Sequence, residues 1–153
     1  MDLIRRSDLN RGRLAAVGYD SGIVRIVSVN ENVVDLNLVF KAHDSPVFKL
    51  AYAPNQTMLV TAAKNGEIFF FETNGHSDLS LYEPLSMLRL PEGNLVNDLK
   101  WDANSKAVII ACDSGYVYEL KKPDKEKINN TESFEVPLDK HPHRVWKMKM
   151  MEF

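Results

Sequence analysis

Apolar and polar positions alternate along the chain in three similar blocks, each made of an apolar run, a short polar turn and a second apolar run. The turns read Asp-Ser-Gly or Lys-Asn-Gly and end at Gly22, Gly66 and Gly115. Glycine or asparagine there supplies the positive φ that a tight connection between antiparallel strands requires. Each block is therefore predicted to form a β-hairpin. The flanking apolar runs are residues 14–17 and 23–27, 58–60 and 68–71, and 107–110 and 116–120.

The second strand of the middle hairpin has no evident solvent-facing side. The stretch KNGEIFFFE, residues 64–72, places three consecutive phenylalanines shortly after the turn. Because successive side chains of a strand point to opposite faces, Phe69 and Phe71 share one face and Phe70 lies on the other. The pattern predicts a strand whose sheet is covered on both faces.

The blocks repeat at a spacing typical of propeller blades. The turn glycines are 44 and 49 residues apart, close to the blade period of about 40–50 residues. Residues 46–66 lie over 95–115 without a gap, which adds a strand before each hairpin. A fourth strand is expected near 36–40, near 85–90 and near 134–138. The predicted fold is all-β, a partial propeller of about three four-stranded blades; a β-sandwich or barrel is the alternative, but neither predicts an ungapped repeat.

The blades are expected to follow one another along the chain, at residues 1–42, 43–91 and 92–140. The first lacks a good opening strand, because Arg6 and Asp8 fall at positions that are apolar in the second. Residues 141–153 either open a further blade or leave the propeller as a helix, and the pattern favours a strand. Since a propeller needs about four blades or more to close, the remaining blades of its own propeller are an expected partner.

Three dipeptides stand where WD-repeat proteins carry Gly-His, their turn residues and Trp-Asp: Ala42-His43, Asn65-Gly66 and Phe71-Glu72. The chain thus resembles the WD-repeat propeller family. That family joins a His, a Ser or Thr, an Asp and a Trp in a hydrogen-bonded network, of which only His43 and Thr61 match here. The Asp position holds Ser21, Asn65 and Ser114, and the Trp position holds Val27, Phe71 and Leu120. The network is therefore expected to be mostly absent, with blades held by packing.

Within that family, the sequence of residues 13–153 is similar to those of the large cilia- and flagella-associated WD-repeat proteins. The most specific element is the Phe-Phe-Phe-Glu strand after Asn-Gly. This resemblance implies a non-catalytic axonemal scaffold that tethers or regulates inner-arm dynein, with dynein-associated proteins among its partners. A general intracellular WD-repeat adaptor in trafficking or RNA processing is the alternative.

Composition and charge exclude several other classes. The formal net charge is −2, without the basic patch of a nucleic-acid binder. No window has the length of a signal peptide's apolar region or of a membrane span, so an intracellular, soluble protein without a membrane partner is expected. The single cysteine, Cys112, lies beside apolar neighbours and is predicted to be a buried, inert thiol.

No catalytic or cofactor-binding motif is present in the sequence. An enzymatic propeller would need clustered acidic or histidine ligands, so a non-enzyme without a cofactor is expected. His141 and His143 are separated by a proline and lack a nearby cysteine, a pattern more typical of a solvated loop than of a metal site. One charged loop is a candidate docking site for a partner protein, through Lys121, Lys122, Asp124, Lys125, Glu126 and Lys127. A tolerated surface insertion is the alternative for that loop.

Overall fold

A computed structural model describes residues 2–5, 13–29, 31, 33–73, 82–124 and 135–147. These residues form three four-stranded antiparallel sheets. The first sheet contains β1 (Asp2–Arg5), β2 (Arg13–Gly18), β3 (Ile23–Val29) and β4 (Val34–Lys41). The middle sheet contains β5 (Val47–Tyr52), β6 (Met58–Ala63), β7 (Glu67–Glu72) and β8 (Glu83–Arg89). The third sheet contains β9 (Val96–Trp101), β10 (Ala107–Cys112), β11 (Tyr116–Lys121) and β12 (His143–Lys147), and a short 3-10 helix, Leu138–Lys140, precedes β12.

Each sheet follows the chain as a simple meander from an inner to an outer strand. The inner strands β1, β5 and β9 lie next to one another, and the sheets radiate from them. This is the partial propeller that the repeat predicts, with three blades and no closed ring among the described residues. The tight turns have positive φ at Gly22, Gly66 and Gly115. At Gly22 a Cβ would meet the His43 carbonyl oxygen at 1.8 Å, so only glycine fits this position.

The middle sheet is buried on both faces, as the triple phenylalanine predicts. Phe71 belongs to an apolar cluster with the first sheet, beside Phe40. Phe70 is 0% exposed and belongs to a second cluster with the third sheet, beside Trp101. Burying a phenylalanine side chain contributes roughly 1.5–3 kcal/mol. The strand therefore stabilises both neighbouring interfaces.

The repeat extends to irregularities of the sheets. The pairing of β3 with β4 shifts by one residue between Ile26 and Val27. The pairing of β7 with β8 shifts at the equivalent place, between Phe70 and Phe71. A bulge bends the strand that carries it and increases its twist. The first two sheets therefore have outer strands of the same local shape.

The structure corrects two expectations about the ends of the blades. The first sheet does have an opening strand, because β1 pairs with β2 over four residues. The outer strand of the third sheet is β12 and not residues 134–138, so residues 143–147 complete this sheet instead of opening a fourth. Within 134–138, Pro137 has no N–H to donate, and Glu135 instead forms an isolated parallel bridge to Met87 of the middle sheet. Phe134 lies outside the described residues.

Candidate functional site: buried network and exposed surfaces

A buried histidine joins two strands of the middle sheet. His43 Nδ1 lies 2.8 Å from Glu67 Oε1, and His43 Nε2 lies 2.8 Å from Thr61 Oγ1. Burial lowers the pKa of His43, while its hydrogen bond to Glu67 acts in the opposite direction. A carboxylate can only accept, so the neutral ring donates from Nδ1 to Glu67 and accepts from the Thr61 hydroxyl at Nε2. All three side chains thereby have partners away from water.

An arginine extends this network to the protein surface. Arg89 Nη1 lies 2.9 Å from Glu67 Oε2, and Arg89 Nε donates to Glu135 Oε1 at 3.1 Å. Glu135 belongs to the connection between β11 and β12, so the contact joins two sheets. The series His43, Glu67, Arg89 and Glu135 thus runs from the core of the middle sheet to the connection of the third.

The expectation that this hydrogen-bonded network is mostly absent is wrong for the middle sheet. Glu67 supplies the carboxylate. It lies two residues after Asn65, the position at which the family's Asp was expected. The Asn65 side chain has a different role, because its Oδ1 accepts from the Glu67 N–H at 3.2 Å and shapes the turn. Sequence comparison by aligned position missed Glu67; the signal available was a glutamate at the start of a strand that is otherwise apolar.

Aromatic rings take the place of the family's tryptophan. Phe69 and Phe71 stack at 5.7 Å between ring centroids, and Phe69 meets the His43 ring edge-on at 5.2 Å. Phe71 has no N–H group, so its contribution is packing. Glu72, the last residue of β7, is half-buried beside the next sheet.

The histidine pair lies at an interface between sheets and not in a solvated loop. His141 is buried, its Nε2 donates to the Lys121 carbonyl at 2.7 Å, and its ring stacks on Phe70 at 6.0 Å. Burial lowers the pKa of His141. His143 Nδ1 donates to the His141 carbonyl at 2.7 Å. Within the described ranges, no group of three or more His, Cys, Asp or Glu side chains could hold a metal ion.

The cysteine is buried, as its neighbours predict. Cys112 belongs to the apolar cluster between the middle and third sheets. Burial raises the pKa of its thiol to about 11, with a smaller contribution from Asp113. The thiolate is the reactive form of cysteine, and this raised pKa keeps the side chain in its thiol form at neutral pH.

Half of the predicted docking loop lies within the described residues. Lys121, Lys122 and Asp124 are exposed and line a cleft of about 590 Å³ between the middle and third sheets. Lys106 and Glu72 line the same cleft. Lys125, Glu126 and Lys127 lie outside the described residues. The structure therefore brings the first three candidates together with a further lysine from a neighbouring loop.

Three exposed apolar side chains lie at the end of the sheets that carries the glycine turns, one on each sheet. We call Tyr19, Phe48 and Leu95, which are 39%, 38% and 39% exposed, the turn-end row. Backbone hydrogen bonds link the segments that carry them. The N–H of Val47, next to Phe48, donates to the Tyr19 carbonyl, and the N–H of Val96, next to Leu95, donates to the Lys64 carbonyl, both at 3.0 Å. Sequence analysis missed this row because each residue stands alone in its own repeat.

Cations lie against both aromatic rings of the turn-end row. Arg25 lies over the Tyr19 ring at 5.0 Å, and Lys64 lies over the Phe48 ring at 4.6 Å. Lys49 also approaches the Phe48 ring, at 5.7 Å. Apolar side chains with cations beside them form a surface suited to a partner that combines apolar and acidic residues.

In the ranges that the structure describes, no helix has the length and apolar character needed to cross a membrane.

Comparison with known proteins gives one family match and two relatives. Residues 35–72 match the family "WD domain, G-beta repeat". Cilia- and flagella-associated protein 44 of Chlamydomonas reinhardtii is 28% identical over 133 residues, which is 79% of this chain and 8% of that protein. Eukaryotic translation initiation factor 3 subunit I of Scheffersomyces stipitis is 30% identical over 99 residues, which is 58% of this chain and 28% of that protein. The chain thus spans less than a third of either relative.

Solved structures share the arrangement of the sheets. Sqt1 of Saccharomyces cerevisiae has a TM-score of 0.65 at 13% identity, over 81% of this chain and 32% of that one. Hsv2p of Kluyveromyces lactis has a TM-score of 0.64 at 12% identity, over 99% of this chain and 46% of that one. At such identities the likeness is one of fold. The described sheets therefore have the fold of a partial β-propeller, and residues 35–72 match a WD repeat.

Proposed function

We propose that this chain is a non-catalytic scaffold that binds other proteins through its turn-end row. The observation that carries this is the exposure of Tyr19, Phe48 and Leu95, each more than a third exposed, on segments of three sheets that backbone hydrogen bonds link at the turn-bearing end. The phenylalanines of β7, by contrast, are occupied in holding the sheets together. The cleft lined by Lys121, Lys122 and Asp124 is a second surface for the same kind of partner.

The scaffold is proposed to belong to a ciliary or flagellar axoneme, where it tethers or regulates inner-arm dynein. The resemblance of residues 13–153 to cilia- and flagella-associated WD-repeat proteins supports this, and so does the 28% identity to the Chlamydomonas reinhardtii protein. Its partners would be axonemal proteins, including dynein-associated ones, and its location the cytoskeleton of the cilium. Glu67 takes the place of the family's aspartate within this scaffold and fixes the turn-bearing end of the middle sheet.

A general intracellular adaptor is the second candidate. The initiation-factor subunit is 30% identical over a shorter stretch, which favours a role in the cytoplasm close to translation or RNA processing. Both candidates use the same propeller and the same kind of surface. They differ in the assembly that the chain joins.

The test is the location of a tagged copy of the natural protein in a ciliated cell. We expect it to stay with axonemes after detergent extraction, and the double variant Tyr19→Ala with Phe48→Ala to be lost from them while remaining folded. The control is Val145→Ala, an exposed apolar residue on the outer strand of the third sheet. A diffuse cytosolic signal for the unaltered protein would contradict the ciliary role, and sedimentation with ribosomal subunits would favour the second candidate.

A further inference from the structure

The outer edge of the middle sheet is occupied by another part of the chain. Glu135 forms a parallel bridge with Met87 of β8, and the Val136 N–H donates to the Met87 carbonyl at 2.8 Å. The Glu135 carboxylate accepts from Arg89 Nε at 3.1 Å. The rim of this sheet thus holds a short extended segment by one backbone hydrogen bond and one ion pair.

Among the described residues, the first sheet presents the same site without such a segment. Phe69 of the middle sheet and Arg25 of the first sheet are 44 residues apart, as the turn glycines Gly66 and Gly22 are, so they occupy equivalent positions. Phe69 pairs with Met87, and Arg25 pairs with Val39. Val39 is therefore the counterpart of Met87, and by the same registers Lys41 is the counterpart of Arg89. In an antiparallel strand the N–H and C=O of one residue point to the same side. Since the Met87 carbonyl points outward, both backbone groups of Val39 do so as well.

The edge of β4 has properties that protein surfaces usually avoid. The strand spans eight residues without proline, and among the described residues it is the edge strand of its sheet. Val34, Leu36 and Val39 are 65%, 56% and 45% exposed. Long apolar edge strands are templates for pairing with another chain, and proteins commonly block them. Another propeller sheet beside β1–β4 would cover the apolar face but leave the edge at the rim open.

Charge indicates what the edge would bind. Lys41 projects at the position from which Arg89 binds Glu135, and its side chain is 60% exposed. Its contact in this structure is Asp44, at 3.6 Å, and the Asp44 side chain is fully exposed. Exposed pairs of this kind contribute little, so a carboxylate from a partner can replace Asp44 at small cost.

We propose that the outer edge of β4 is a docking strand for an extended segment of a partner protein. The segment pairs parallel to β4, places an acidic residue opposite Val39 and within reach of Lys41, and continues with a β-branched apolar residue, as Glu135-Val136 does on β8. This inference rests on the proposed role in protein binding and adds a surface and a partner chemistry to it. Main-chain hydrogen bonds give affinity in such complexes, and the acidic side chain gives register.

The test titrates the 153-residue chain, labelled with ¹⁵N, with a peptide that copies residues 131–138, TESFEVPL. We expect chemical-shift changes of backbone amides centred on Val39, and saturable binding when the titration is followed by fluorescence anisotropy. Lys41→Glu should weaken binding about two- to fivefold, the size of one exposed ion pair. A peptide with lysine in place of the residue that corresponds to Glu135 should bind the wild-type chain more weakly. The same peptide should bind the Lys41→Glu variant about as tightly as the unaltered peptide binds the wild-type chain.

A backbone variant tests the pairing itself. Val39→Pro removes the outward N–H and should reduce peptide binding by about tenfold or more, while unfolding stays close to wild type because the β3–β4 hydrogen bonds do not use that group. If this variant does not fold, the proposal is decided by the charge exchange between the Lys41→Glu variant and the lysine-substituted peptide. Absence of binding, shifts on β8 instead of β4, or self-association through β4 that excludes the peptide would each overturn the proposal. Peptide binding at β4 is measured on the isolated chain, so it can fail while the axonemal location holds, and the reverse.

Discussion

The two faces of the middle sheet are both buried, but different interactions stabilise them. The face toward the first sheet carries His43, Thr61 and Glu67 in a hydrogen-bonded network beside two stacked phenylalanines. The face toward the third sheet is formed by aliphatic residues around Phe70. Polar networks demand one geometry, whereas apolar packing tolerates exchange of similar volumes. The comparison indicates that the polar network at the first interface fixes the position of the turn, whereas apolar packing holds the second interface together.

The largest expected effect is a cavity on the apolar face. Phe70→Ala should lower the free energy of unfolding by about 3–5 kcal/mol, because the ring is fully buried between two sheets. Phe69→Ala, on the polar face and only half-buried, should cost less, about 1–3 kcal/mol. Urea unfolding of both variants measures the difference. Equal losses would show that the two faces do not differ in this way.

A smaller effect is expected from a hydroxyl in the network. Thr61→Val keeps the shape but leaves His43 Nε2 without its donor, which should cost about 1–3 kcal/mol. Ser86→Ala is the matched control on the apolar face, since the buried Ser86 hydroxyl has no hydrogen-bond partner among the described residues. That variant should be neutral or stabilising. A loss of stability in Ser86→Ala comparable to that of Thr61→Val would contradict the contrast.

Acid should destabilise both interfaces through their histidines. Burial lowers the pKa of His43 on one face and of His141 on the other. The unfolded chain takes up protons below about pH 6.5 while the folded histidines stay neutral, so stability falls as pH decreases from there toward the lowered values. Each group contributes at most about 1.4 kcal/mol per pH unit. Melting temperatures at pH 8 and pH 5.5 should show the loss, and His141→Asn should reduce it; an unchanged melting temperature on acidification would contradict the burial argument.

The smallest effect is expected where the network reaches the surface. The Arg89 and Glu135 side chains are about half exposed, so Glu135→Gln should cost about 0.2–1 kcal/mol. Glu67→Gln should cost more, because the buried Glu67 carboxylate binds both His43 and Arg89. Thermal unfolding of the two variants tests the order. A larger loss in Glu135→Gln would place the main contribution in the connection and not in the sheet.

The hairpins could be predicted from sequence because their signals are local. Alternating apolar runs and a glycine that must adopt positive φ determine each turn within about a dozen residues. The outer strand of the third sheet could not be located in this way, since residues 134–138, FEVPL, alternate more clearly than residues 143–147, HRVWK, which form it. Only the pairing with β11 distinguishes them, and that pairing depends on distant residues.

The network was missed for a related reason. Sequence analysis looked for the carboxylate at position 65, where WD-repeat proteins carry an aspartate, and found Asn65 there. In the folded sheet a glutamate two residues later reaches the same histidine, since its side chain is longer and points to the same face as Thr61. Contact in space can therefore be kept while the position in the sequence changes.

The contact between Glu135 and the rim of the middle sheet has a consequence for the order of folding. All three sheets consist of consecutive strands, so the first two can form as soon as their own residues have left the ribosome. The third sheet lacks β12 until the connection has been synthesised, and Glu135 and Val136 need β8 already in place to bind. The finished middle sheet would then act as a template that brings the final strand back to its partner.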